Sequence, residues 1–305
     1  MNKSSGRNIR KLLLKIKKSE LPGFNGAPLD TVLKLVLKGF GRGALVTRAS
    51  SIAFNMLMAL LPTIIFLFTL IPFIPVQNFQ SDLVRIFENL MPANLYTVFE
   101  STIIDVITRK SGTLLVFMFF ATIVFSTNGI HALMHAFNVS THGFTSRTWI
   151  QQRKISIVML FTILILFSIS GMLIILSKSV VKRLVTLGLL RMSFVFYLVM
   201  VLKWILIILI LFFAISTLYY FVPAKKKEFR YFSPGSILAT LLFIITSLGF
   251  SAYVNNFGQY NKLYGSIGTL IVMLVWLYLN SIALLMGFEL NASIKAANEE
   301  LETIA

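Results

Sequence analysis

The sequence predicts an all-α integral membrane protein, a six-transmembrane-helix bundle with interfacial amphipathic helices. Three observations carry this. Hydrophobic residues make up 57% of the 305 and charged residues only 13%, a balance outside that of a soluble domain. Six apolar, uncharged runs each approach the roughly 20 residues a helix needs to cross a hydrocarbon core about 30 Å thick. The net charge of +17 is spread unevenly over the segments between those runs, as in a protein that keeps its basic loops on one side of a bilayer. A large soluble core would show amphipathic periods instead. The chain contains no cysteine, which excludes disulfides and thiolate metal sites.

Residues 1–43 read as a basic N-terminal arm. Ile9, Leu12, Leu13 and Ile16 share one helical face, with Arg10, Lys11, Lys15, Lys17 and Lys18 largely elsewhere. After a turn-rich stretch (Leu21-Pro22-Gly23, Asn25-Gly26), the pattern repeats with Leu29, Val32, Leu33, Val36, Leu37 and Phe40 against Lys34 and Lys38. Such helices lie on anionic headgroups with the apolar stripe sunk into the boundary, or pack against another part of the protein. Both remain open for the second helix. No apolar run precedes the arm, so no cleaved secretory signal is expected.

Residues 44–293 hold the predicted spans: Ala49–Ile74 (with Pro62 inside), Ser111–Ile130, Ile155–Ser177, Trp204–Pro223, Gly235–Phe257 and Gly265–Gly287. Residues 294–305 read as a C-terminal tail. Between the first two spans, Phe79, Leu83, Ile86 and Leu90 form one stripe, Pro92 breaks it, and Leu95, Val98, Phe99, Thr102 and Val106 form another. Two short helices there would cap the outer mouth, covering helix ends or gating access.

Lys and Arg number 11 in residues 1–48, against Glu20 and Asp30 as the acids. Alternate segments carry 19 on the side of the termini and nine on the other. The positive-inside rule therefore predicts that both termini lie in the cytoplasm. The connection 178–203 is discordant, being basic yet assigned outside.

Polar residues within spans are costly and mark candidate sites. Asn55 and Asn128 are expected to hydrogen-bond between helices. Pro62 removes a backbone hydrogen bond and would kink the first span, as in the broken helices of transporters. His131 and His135, spaced i and i+4, could hold a metal, but Ala132 stands where a zinc hydrolase needs its glutamate. Hydrogen bonding is the better reading, and no metal site is assigned. Lys203 falls in a long apolar stretch; with Trp204 it fits an interfacial anchor. Gly265 and Gly268 permit tight helix contact or flexible entry. Glu289, just past the last run, is read as pairing with a basic inner loop in preference to lining a vestibule. Asn55, Pro62, Asn128, His131, Gly265, Gly268 and Glu289 are thus the candidate pathway or gating residues.

A set of motifs resembles the YihY/BrkB family of bacterial inner-membrane proteins, the BrkB-type virulence-factor family once labelled ribonuclease BN. The motifs are Ser51-Ile52-Ala53-Phe54 with Leu60-Leu61-Pro62, Ala136-Phe137-Asn138, Leu218-Tyr219-Tyr220-Phe221-Val222-Pro223, Ser233-Pro234-Gly235, Tyr253, Tyr260-Asn261, Tyr264-Gly265-Ser266-Ile267-Gly268, Trp276-Leu277-Tyr278 and Gly287-Phe288-Glu289-Leu290-Asn291. The resemblance spans about Gly39 to Ser293 and implies six transmembrane helices. It brings no catalytic or substrate residues with it.

The expected function is transport or export of a lipid or other amphiphilic envelope component. No P-loop G-x-x-x-x-G-K-[ST] occurs in the chain, so energy would come from a gradient or a partner. The alternative is a non-transporting scaffold for envelope assembly. An enzyme is not expected: RNA hydrolysis needs a metal cluster or an acid/base pair, and the sequence clusters neither. Expected partners are membrane lipids, with anionic headgroups at the basic cytoplasmic segments, and envelope-assembly proteins. Neither nucleic acid nor a cofactor is expected.

Overall fold

The computed structural model describes residues 23–24, 26–42, 45–73, 84, 104–105, 108–140, 147–186, 192–223, 231–256 and 260–304. Seven long helices run through them: α1 (Leu29–Arg42), α2 (Leu45–Leu70, followed by a short 3-10 turn Ile71–Phe73), α3 (Gly112–Ser140), α4 (Trp149–Thr186), α5 (Met192–Phe221), α6 (Pro234–Asn256) and α7 (Tyr260–Ile304). No strand occurs among the described residues. The stripe at 9–16 and most of the predicted outer cap at 75–110 lie outside them, as does the side-chain packing around Tyr260, Asn261, Tyr264 and Gly265.

Among the described residues, six stretches are long and apolar enough to cross a membrane: Leu45–Phe73, Gly112–Val139, Trp149–Ser170, Tyr197–Phe221, Pro234–Val254 and Leu270–Thr303. The protein is an all-α membrane bundle, as the sequence predicts. The helices outrun the predicted spans. The third connection is helical on both sides of its middle, because α4 continues to Thr186 and α5 begins at Met192. The predicted tail from 294 continues α7, which reaches Ile304. At 1.5 Å per residue, α7 is about 67 Å long, twice a hydrocarbon core. A charge ends a hydropathy run but not a helix, since Lys and Glu are good helix formers.

The chain divides into two compact units, Met1–Phe54 with Ile130–Ala305, and Asn55–Gly129. In the smaller unit α2 and α3 run antiparallel. A Cβ on Gly129 would lie 3.6 Å from the Asn55 carbonyl oxygen, Thr63 Oγ1 is 3.5 Å from Ser126 Oγ, and the Phe66 and Phe119 rings are 5.7 Å apart. Helix α2 runs without interruption through Pro62.

In the larger unit α1 packs along α7. Val32 is fully buried, with Phe24, Ala27, Ile294 and Ala297 around it and Leu29, Leu35, Val36 and Leu290 at the margin. Asn298 Nδ2 donates to the Phe24 carbonyl at 3.2 Å. Gly23, at φ 93°, turns the chain against Pro234 where a side chain would not fit. The open choice for the second N-terminal helix is settled in part: one face belongs to α7. Leu33 and Leu37, from the same predicted stripe, remain 49% and 68% exposed.

Candidate functional site

The densest buried chemistry of the larger unit gathers where α2 begins and α3 and α5 end. Arg48 and Glu289 are buried at 7% and 5% side-chain exposure, with Arg48 Nη2 3.7 Å from Glu289 Oε2. Arg48 Nη1 also donates to the Ala136 carbonyl at 3.0 Å. That carbonyl lies near the C-terminus of α3, where the helix dipole favours a cation. A carboxylate and a guanidinium out of water each carry a large desolvation cost, and only their mutual attraction and hydrogen bonds offset it. Glu289 is thus paired, but with an arginine on a membrane helix and not with a basic inner loop. In the sequence Arg48 appears only as one flank charge among many; its contact with an uncharged run was the available signal.

Residues adjacent to these partners form an aromatic seal. Phe137 follows Ala136 and Phe288 precedes Glu289; their rings stack at 4.1 Å and 11°. Tyr219 meets both edge-on, with centroids 5.6 Å from Phe137 and 5.6 Å from Phe288. Its hydroxyl donates to the Leu284 carbonyl at 2.5 Å. Tyr219, Phe137 and Phe288 are all fully buried, so α3, α5 and α7 are locked by one ring cluster. Offset and edge-on rings attract through their quadrupoles, and the buried phenol needs the acceptor it has.

Helices α6 and α7 meet more closely still. A Cβ on Gly235 would overlap the Gly287 carbonyl, and one on Gly287 would overlap that of Gly235. Contact of this kind is how small residues bring membrane helices together. It is made at Gly287; Gly268, at which the sequence also permits tight contact, is buried as well. The start of α6 explains the Ser233-Pro234-Gly235 motif. Ser233 caps the helix, accepting from Ser236 N–H at 3.2 Å while Ser236 Oγ donates back to the Ser233 carbonyl at 2.8 Å. Pro234 occupies the first helical position, which has no need of an N–H. The orphan Gly235 N–H donates to Asn291 Oδ1 at 2.8 Å, and Asn291 Nδ2 donates to Ser233 Oγ at 2.8 Å. One α7 amide therefore completes the cap of α6.

Arg147, ahead of α4, closes the end of α5. It donates to the carbonyls of Phe221 (3.2 Å), Val222 (2.8 Å) and Pro223, groups a helix end leaves without partners. Burial pushes its guanidinium below its ordinary value. About 27 Å back along α5, Lys203 Nζ sits 5.4 Å from the centre of the Trp204 ring. That separation is close to the thickness of a hydrocarbon core, and it fits the interfacial reading of Lys203.

Deeper in the larger unit, α6 and α7 share a polar contact that sequence reading missed. Asn280 is 4% exposed; its Oδ1 lies 3.1 Å from Thr246 Oγ1 and 3.5 Å from Ser247 Oγ, and its Nδ2 donates to the Trp276 carbonyl at 2.9 Å. It stands about 14 Å before Glu289 along α7, near the middle of a hydrocarbon core. A lone Asn inside the last apolar run was the visible signal.

The remaining candidates are dispersed. His131 and His135 are exposed, and no group of three or more His, Asp and Glu residues that could hold a metal occurs among the described residues. Asn55, Pro62 and Asn128 are half-buried in the smaller unit. Tyr253 is 57% exposed, and Trp276 packs edge-on against Phe243 at 6.1 Å.

Comparison with known proteins identifies the family. The model of the family described as virulence factor BrkB matches residues 36–304. The ribonuclease-like protein YfkH of Bacillus subtilis (strain 168) is 32% identical over 252 residues, covering 81% of this chain and 88% of YfkH. A UPF0761 membrane protein of Pseudoalteromonas translucida (strain TAC 125) is 39% identical over 83 residues, 27% of this chain and 28% of that protein. One of Vibrio atlanticus (strain LGP32) is 39% identical over 83 residues, covering 27% of this chain and 26% of that protein. No solved structure matches.

Proposed function

The chain belongs to the virulence factor BrkB family, and we propose that it moves a lipid or other amphiphilic envelope component across the bacterial inner membrane, with both termini in the cytoplasm. The observation that carries this reading is the buried Arg48–Glu289 pair inside a six-span bundle. A rigid anchor is made at lower cost from apolar side chains, because a buried ion pair is often no more stable than its hydrophobic replacement. Charge kept within a membrane bundle is characteristic of substrate paths and gates. The pair and the Phe137–Tyr219–Phe288 rings act as the closed cytoplasmic gate, and Asn280 with Thr246 supplies polar contacts near the midplane. The basic segments of the cytoplasmic face lie against anionic headgroups. Transport draws on a gradient or a partner ATPase.

No enzymatic activity is assigned. YfkH carries a ribonuclease-like name; in this chain the buried Glu289 carboxylate is paired with Arg48, which ties it to helix contact and gating instead of to proton transfer. A second reading, a scaffold for envelope-assembly proteins, is favoured by one feature: α7 continues about 22 Å beyond Glu289 with α1 packed on it.

Reconstitution into liposomes with a fluorescent-lipid flip readout tests transport. Accelerated flip by the wild type, altered in Glu289→Gln, supports the gate. Folded protein that moves no envelope lipid rules out lipid transport and leaves the scaffold.

A further inference from the structure

We propose that α1 is a docking site for anionic phospholipid headgroups of the same bilayer, with Leu33 and Leu37 seated among acyl chains and Lys34 and Lys38 on headgroup phosphates. The inference rests on the reading of this end of the bundle as a membrane surface. It does not depend on whether the protein moves lipid.

Position comes first. Helix α1 ends at Arg42 and the first membrane-crossing helix starts at Leu45. Gly39 lies so close to Glu289 that a Cβ there would overlap the carboxylate. The C-terminal turn of the helix, with Leu37 and Lys38 beside Gly39, is therefore held at the level where α2 enters and the apolar run of α7 ends, the boundary between hydrocarbon and water.

Orientation follows from the helical period. At about 100° per residue, Val32, Leu35, Val36 and Gly39 centre on one direction, the face that α7 covers. Leu33 and Leu37 lie about 130° round from it, and Lys34 with Lys38 about 100° further. Packing on α7 does not satisfy the leucine edge, which stays 49% and 68% exposed. Two leucines one turn apart beside two lysines one turn apart make the pattern of an interfacial helix, whose lysines reach past the apolar edge to the phosphates. Lys34 lies 3.6 Å from Asp30 at 79% side-chain exposure, an exposed pair that yields readily to a phosphate. The occupant is thus anionic lipid: acyl chains answer the leucines, and negative headgroups answer the lysines.

The absence of cysteine makes site-directed labelling direct. Single variants Leu37→Cys and Glu302→Cys, the latter at the exposed tip of α7, are labelled with bimane in the full chain. They are reconstituted into phosphatidylcholine vesicles with or without phosphatidylglycerol. The label at 37 is expected to be quenched by brominated acyl chains and shielded from aqueous iodide, and the label at 302 the reverse. Adding Lys34→Gln and Lys38→Gln is expected to lower the docked-to-undocked ratio about fivefold for each lysine, only where phosphatidylglycerol is present. Equal iodide access at 37 and 302 would overturn the docking. Quenching at 37 indifferent to phosphatidylglycerol and to both lysines would overturn the assignment to anionic headgroups. Both readouts are independent of lipid flip, so failure of the transport reading leaves them intact.

Discussion

Arg48, in the first turn of α2, and Glu289, late in α7, form a buried ion pair at 3.7 Å, and the same guanidinium holds the Ala136 carbonyl of α3. Three helices converge on one charge. Removing either partner leaves the other buried and uncompensated, at a cost of about 3–5 kcal/mol. Arg48→Gln and Glu289→Gln are therefore each expected to lower the melting temperature in detergent markedly. The double change Arg48→Met with Glu289→Leu should recover most of the loss while losing the charge-dependent part of lipid flip. A double variant as unstable as the singles would show that the pair is not what the singles disturb.

Gly39 leaves room for Glu289 that no other residue would. The Gly39→Ala methyl would overlap the carboxylate, which must shift within its pairing with Arg48, and overpacking of a close contact costs about 1–3 kcal/mol. The expected result is a lowered melting temperature in the wild type but almost no further change in the Glu289→Ala background. A full additive loss there would separate Gly39 from the pair.

Gly287 and Gly235 form a backbone contact with no adjustable side chain between them. Gly287→Val should abolish folded protein after detergent extraction, followed by size-exclusion chromatography. Asn291→Ala removes the acceptor of the Gly235 N–H and the donor to Ser233. It is expected to cost about 1–3 kcal/mol, the penalty of an orphaned buried amide.

Asn280 makes its contacts to α6 through Thr246 and Ser247. Interhelical hydrogen bonds in membranes contribute about 1 kcal/mol, so Asn280→Leu should shift the melting temperature only slightly. In the transport reading the same variant slows flip of the lipid substrate. An unchanged flip rate would remove Asn280 from the path.

Much of the fold was legible residue by residue. Crossing a bilayer is a local requirement, met by a run such as Gly265–Gly287, and it can be summed along the chain. Helix ends were less legible, because the charges at Lys178 and Lys295 end hydropathy without ending α4 or α7. The motif Ser233-Pro234-Gly235 was visible, but its purpose was not. The amide that completes the cap sits on Asn291, another helix altogether.

The sequence by itself therefore determined the class, the number of spans and the family, since each depends on apolar runs and motifs read in place. Only the tertiary structure decided that Glu289 answers Arg48, that Tyr219 closes on Phe137 and Phe288, and that one face of α1 belongs to α7. The reason is physical: a buried charge or ring is satisfied by whatever the helix crossings bring within a few ångströms, and crossings are set by packing across the whole bundle.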